Sequence, residues 1–152
     1  MRRVLRVLGV TAVVLATGIQ FVRPERISRP ESPFANLSAS QPVVEILDRS
    51  CGDCHSYSTD WPWYSNVAPV SWWVADHVSH AQSHLNFSEW NSYPREKQLD
   101  LLGEICEETE DHAMPLPSYT WVHRDALLSD AEIRQLCQWT AEDVAAIAAP
   151  HP

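Results

Sequence analysis

Cys51-Gly52-Asp53-Cys54-His55 decides how the rest of the chain is read. Cys-x-x-Cys-His is the spacing by which a c-type haem is attached: two thiols add to the two vinyl groups of one porphyrin, and the next side chain reaches the iron. Two other chemistries use a Cys-x-x-Cys. A thioredoxin-like dithiol wants a βαβ setting, and a structural zinc site wants two further ligands at suitable spacing. Cys106 and Cys137, the remaining cysteines, stand far apart and do not form a second such pair. The pattern points to one covalent haem c, with Cys51 and Cys54 as thioether residues and His55 as an iron ligand.

Outward from that motif the chain reads as helical. Only four Gly and few β-branched runs argue against a sheet-rich fold. Ser40, with Pro42 in the first turn, starts a short helix carrying Val43, Val44, Ile46 and Leu47 up to Cys51. A second starts at Pro69 or Val70 and runs through Trp72, Trp73, Val74 and Val78 toward Leu85. A third opens at residues 92–94, with Leu99, Leu102, Ile105 and Cys106 recurring on one face. Ser129 opens the last: Glu132 three residues on makes a capping box, and Ile133, Leu136, Cys137 and Thr140 follow at helical spacing until Pro150. Met114-Pro115-Leu116-Pro117 between the last two cannot be regular helix throughout.

The amino terminus reads as an export signal. Arg2, Arg3 and Arg6 precede an apolar run over residues 7–22. Ala16 and Gly18 satisfy the small-residue rule for cleavage, but that cut would leave Ile19, Phe21 and Val22 exposed. Left uncut, the run spans about 24 Å at ~1.5 Å per residue, short of a ~30 Å bilayer core unless Val4 and Leu5 join it and Arg6 snorkels outward. The expectation is an uncleaved anchor over residues 1–23, a Pro/Ser-rich tether over 24–40 and a domain over 41–150; the flanking charge does not settle the orientation, and a place on the periplasmic side of a bacterial cytoplasmic membrane is what the family resemblance described below implies. Cleavage would instead release the domain to the periplasm.

Charge is unevenly spread within the net −9. Residues 1–40 carry six Arg against two Glu, while the remainder carries five basic and eighteen acidic groups, a net of −13. That excess argues against nucleic acid as a partner and fits a redox protein with a basic docking face, approached by salt-sensitive encounters. A solvated acidic surface that only maintains solubility is the competing reading.

Iron held by His55 has a sixth position. Met114 is the candidate, because it sits in a loop stiffened by Pro115 and Pro117 that presents its thioether at low entropic cost. The competitors are His112, the helical set His77, His80 and His84, and an open position; a Met filling a core gap is the structural alternative. The helical histidines could also bind a second metal, but polar helix surface explains them better. Of seven Trp, Trp61, Trp63 and Trp72 fall soon after the attachment site and are the expected pocket walls, excluding water and raising the potential. Arg49 and Arg124 are the expected partners of the haem propionates, unless those face solvent. Cys106 and Cys137, each on the apolar face of a helix, are expected to oxidise together outside the cytoplasm; two unpaired core thiols are the alternative.

Several longer stretches then carry a resemblance. Residues 51–55, Asp60-Trp61-Pro62-Trp63-Tyr64, Ala68-Pro69-Val70-Ser71-Trp72, His84-Leu85-Asn86-Phe87-Ser88-Glu89-Trp90 and Met114-Pro115-Leu116-Pro117-Ser118-Tyr119 resemble the bacterial haem-binding domain family, whose members are similar to small single-haem cytochromes c. The likeness covers most of residues 40–140. It implies an exported, often membrane-tethered, all-α domain of cytochrome c-like fold, with Cys51 and Cys54 as attachment residues and His55 and Met114 as axial pair. The departure is at Ala113, where a Gly is expected before the Met. A six-coordinate His/Met iron leaves no vacant position for substrate, so the expected role is electron transfer without enzyme activity. The alternative is a haem sensor or peroxidase-like enzyme whose sixth position opens and where His112 serves in acid–base chemistry.

Overall fold

The computed structural model describes residues 1–29 and 32–149, so the tether position Pro30 and the expected stop at Pro150 lie outside it. Every regular element among the described residues is helical. Helix α1, Arg2–Gly18, continues as a 3-10 turn over Ile19–Phe21. The combined span is 20 residues with none of its side chains buried in protein, about 30 Å at ~1.5 Å per residue. That is longer than the apolar run suggested, because the helix begins at Arg2 and includes Val4 and Leu5.

Helix α2, Gln41–Leu47, has Ser40 at its N-cap and Pro42 in its first turn, where a missing backbone N–H costs nothing. It buries Val43, Ile46 and Leu47, then loosens into a π-turn over Asp48–Gly52 before the single turn α3, Asp53–His55. Helix α4 is Val70–His84 and α5 is Arg95–Glu110. Between them Phe87–Ser92 forms a 3-10 turn that buries Phe87 and Trp90, an element the periodicity does not reveal. A short α6, Pro117–Thr120, follows the proline-rich loop. Helix α7, Asp130–Ala148, starts with both halves of the Ser129/Glu132 capping box in place.

The core joins α2, the Phe87–Ser92 turn, α5 and α7 through Leu47, Phe87, Trp90, Leu101, Leu102 and Leu136. Helices α5 and α7 pack along one another and are joined by a disulfide between Cys106 and Cys137, with Cα atoms 4.7 Å apart. The helical face expected for α5 omits Leu101, which is fully buried. Helix α5 covers two neighbours at once: Leu102 and Cys106 turn toward α7, while Leu101 and Ile105 turn toward a cavity, so its apolar stripe is wider than one interface needs.

The segment expected as a tether is docked at both ends. Phe34 and Leu37 enter the core, and the indole N–H of Trp139 donates to the Ser38 carbonyl at 3.3 Å. Upstream, the Gln20 amide both donates to the Ala68 carbonyl and accepts its N–H, at 3.1 and 2.9 Å. Arg23 donates to the Asn66 carbonyl at 3.0 Å, Arg26 to the Ser65 carbonyl, and the Arg29 N–H to the Tyr57 carbonyl at 2.8 Å. Proline and serine content suggests a spacer; scattered Phe, Leu and Arg side chains with partners elsewhere make it a strap.

Candidate functional site

A cavity of about 450 Å3 opens between α3, the second half of α4, α5 and the loop after α5. Cys51, Cys54, His55 and Met114 all line it. Cys51 is delivered by the π-turn at the end of α2, Cys54 and His55 by α3, so one continuous helical stretch sets three of the four. The thiols are unbonded. Burial raises Cys51 to about 12 and Cys54 to about 11, which keeps both as neutral thiols at physiological pH.

His55 is oriented by its backbone surroundings. Its Nδ1 lies 3.1 Å from the carbonyl of Leu85, at the end of α4. A carbonyl only accepts, so Nδ1 carries the proton and Nε2 keeps its lone pair free for a metal. Burial lowers the imidazole's pKa, which preserves that neutral form.

Met114 is placed by the way α5 ends. The N–H groups of Ala113 and Met114 both donate to the Glu108 carbonyl, at 2.9 and 3.0 Å, and the His112 N–H donates to the Thr109 carbonyl at 3.2 Å. These are the bonds of a Schellman stop, whose C′ residue takes left-handed backbone. Here that residue is His112, with φ 53°. The glycine expected at 113 is not required there, since Ala113 is not among the positive-φ residues. His112 is exposed and does not line the cavity; its backbone ends the helix and aims the next turn.

The rest of the wall is apolar on one side and polar on another. Leu85, Phe87, Leu101, Ile105, Pro115 and Leu116 supply the first; His77, His84, Glu104, Glu108 and Thr109 supply the second. His84 Nε2 meets Glu104 Oε2 at 2.6 Å, linking α4 to α5. His80 instead pairs with Asp76 at 3.4 Å, and among the described residues no cluster of three metal-capable groups contains His77, His80 or His84.

Tyr119 also lines the cavity. Its hydroxyl donates to Asp53 Oδ2 at 2.7 Å, while the Asp60 N–H donates to Asp53 Oδ1 at 2.8 Å. Asp53 lies inside the Cys-x-x-Cys-His run, so these bonds tie that turn to α6 beyond the Met114 loop. Burial, reinforced by the Asp53 bond, raises the Tyr119 pKa and keeps its hydroxyl a donor. The ring stacks on His123 at 4.4 Å, and His123 Nε2 meets the Tyr64 hydroxyl at 2.7 Å.

The residues expected as aromatic walls and propionate partners are not at the cavity. Trp63 is 80% exposed, Trp72 donates its indole N–H to the Val22 carbonyl at 2.8 Å, and Trp61 packs under the Arg26 guanidinium 4.4 Å from its centroid. The chain leaves α3 in extended form at Ser56, carrying the Trp-rich stretch toward the strap. Arg49 pairs with Glu132 at 2.7 Å, fixing the π-turn that carries Cys51 to the start of α7, and Arg124 is exposed. No Lys or Arg is among the lining residues. Sequence reasoning missed Tyr119, Phe87 and the Leu85 carbonyl as site groups, because only the folded chain brings them to residues 51–55.

The donor set fits a haem: two thiols, an imidazole with a free Nε2, a thioether and an apolar wall share one cavity within the ~300–1,000 Å3 of ordinary cofactor sites. This defines the class as an all-helical haem-binding protein. The profile of the haem-binding domain family matches residues 14–142, and the chain belongs to that family. No curated protein and no solved structure matches it.

Proposed function

We propose that the chain is a membrane-tethered, c-type haem protein of cytochrome c-like organisation that transfers electrons at the outer face of the cytoplasmic membrane. The observation that carries this is the meeting of Cys51, Cys54, His55 and Met114 in one cavity, although Met114 lies 59 residues after His55. In this reading Cys51 and Cys54 hold the porphyrin as thioethers. His55 ligates iron through Nε2, with Nδ1 held by Leu85. Met114 would hold the iron through its thioether, from the loop after α5. The bound haem supplies a one-electron couple, and a thioether ligand raises its potential. The chain's own part is to exclude water with Phe87, Leu101 and Ile105, and to hold the attachment turn through Asp53. His77 and His84, in place of Arg49 and Arg124, are the wall groups that would hydrogen-bond the propionates.

Electron transfer is favoured over a sensor or peroxidase-like role because Met114 lines the same cavity as His55, while His112, the acid–base group expected for that role, is exposed and does not line it. The acidic domain favours a partner with a basic face, met through salt-sensitive encounters. The tether reading is supported by the unburied apolar α1.

The full chain is to be produced with haem-maturation machinery and assayed by pyridine haemochrome after denaturation. Haem that stays with the polypeptide and gives a two-thioether spectrum is expected. Haem extracted by acid solvent would overturn covalent attachment, and Cys54→Ala should shift the spectrum toward a single thioether.

A further inference from the structure

We propose that the face formed by Val67, Val70 and Trp73 at the foot of α1 is a membrane-contact surface, seated in the headgroup layer of the bilayer that α1 crosses. This rests on the reading of α1 as a membrane span. Its first support is the lack of slack. Gln20, in the last turn of the span, is bonded to both backbone groups of Ala68, and the Val22 carbonyl accepts the Trp72 indole N–H. Residues 66–72 therefore sit where the helix leaves the bilayer, not at the end of a spacer.

The second support is what surrounds that junction. Val67 is 47% exposed, Val70 42% and Trp73 51%, and Phe21 and Val22 beside them are 82% and 61%. Val67 and Val70 flank the Ala68–Pro69 pair bonded to the anchor, and Trp73 stands one turn after Val70 on the same face of α4. Apolar and Trp side chains at the level where a span ends are the residue types that partition into the interface.

Charge selects the same face. The domain after residue 40 carries a net charge of −13 and is repelled as a whole by anionic lipid. Arg23 and Arg26 stand at the junction, where their guanidinium groups are positioned by Asn66 and Ser65 and add attraction to anionic headgroups. The surface thus holds the haem domain in one posture on the membrane, with the first turn of α4 on lipid and its His77 and His84 half at the cavity.

Photocrosslinking tests this with the full chain in vesicles of mixed phosphatidylcholine and phosphatidylglycerol. A benzophenone amino acid is placed singly at positions 13, 67, 70, 73 and 142, and each product is weighed after illumination. The expected result is a mass shift of one phospholipid at 13, in the span, and at 67, 70 and 73, with no such shift at 142, an exposed position of α7. A shift at 13 with none at 67, 70 and 73 would overturn the contact surface while leaving the anchor. The absence of a shift at 13 would overturn the anchor and the surface with it. Equal shifts at 70, 73 and 142 would mean random collision and would also overturn the proposal.

Discussion

At the scale of single residues, the site is built from groups whose free valences are few. His55 has one nitrogen committed to Leu85 and one left over. Asp53 is bonded at both oxygens, by Tyr119 and by the Asp60 N–H. Removing the Tyr119 hydroxyl leaves a partly buried carboxylate short of a donor, which costs about 1–2 kcal/mol. Tyr119→Phe should therefore lower the unfolding free energy of the haem-loaded chain, read from urea denaturation, by that amount, and an unchanged value would show that solvent replaces the bond. At this scale the sequence was most legible where the residues are neighbours in the chain: Cys51, Cys54 and His55, read as one group, line one cavity. It was least legible where proximity was taken from chain order. Trp61, Trp63 and Trp72 follow residues 51–55 within about two dozen positions, yet Trp61 packs under Arg26, Trp63 is exposed and Trp72 bonds to Val22, and Phe87 and Leu101 line the cavity instead.

At the scale of elements, helix ends do more than helix middles. The capping box at α7 was readable because its two residues stand three apart; its link to Arg49 was not, because that pairing crosses most of the domain. The Ser129 hydroxyl and N–H, then Arg49, hold Glu132 down from the usual 4.5 to about 2. A carboxyl lowered on folding stabilises the native state above its unfolded value and loses that contribution as pH falls through 4.5 toward 2. Wild-type stability should thus decline over that window, and Ser129→Ala should flatten the decline while costing about 1 kcal/mol at neutral pH. The stop of α5 makes the opposite lesson. The resemblance placed a glycine at 113, but the left-handed residue is His112, where a side chain is strained by about 1 kcal/mol. His112→Gly should raise the thermal midpoint and His112→Val should lower it, without a change in the absorption spectrum in either case; the reverse order would mean the turn is not a Schellman stop.

At the scale of the whole molecule, α5 is the shared member: it packs on α7, walls the cavity and releases the Met114 loop. The disulfide from Cys106 to Cys137 closes a sequence separation of 31 and, by restricting the unfolded chain, is worth about 4 kcal/mol. The paired replacement of both cysteines by Ser should lower the denaturant midpoint accordingly while leaving iron ligation intact, because the loop's backbone bonds run to Glu108 and not to Cys106. All-helical architecture and the position of the main helices were open to sequence reasoning, since 3.6-residue periodicity and caps are local. The strap was not: its Phe34, Leu37 and arginines are too sparse to make a pattern, and their burial is a property of the assembled fold. The proposed function requires that this fold hold one covalent haem between His55 and Met114. The absorption spectrum of the oxidised, haem-loaded full chain, taken beside that of Met114→Ala, tests it most directly. The account predicts a sulfur-to-iron charge-transfer band that is present in the wild type and lost in the variant; a wild type without the band whose reduced form binds carbon monoxide rapidly, or a band that survives in Met114→Ala, would contradict it.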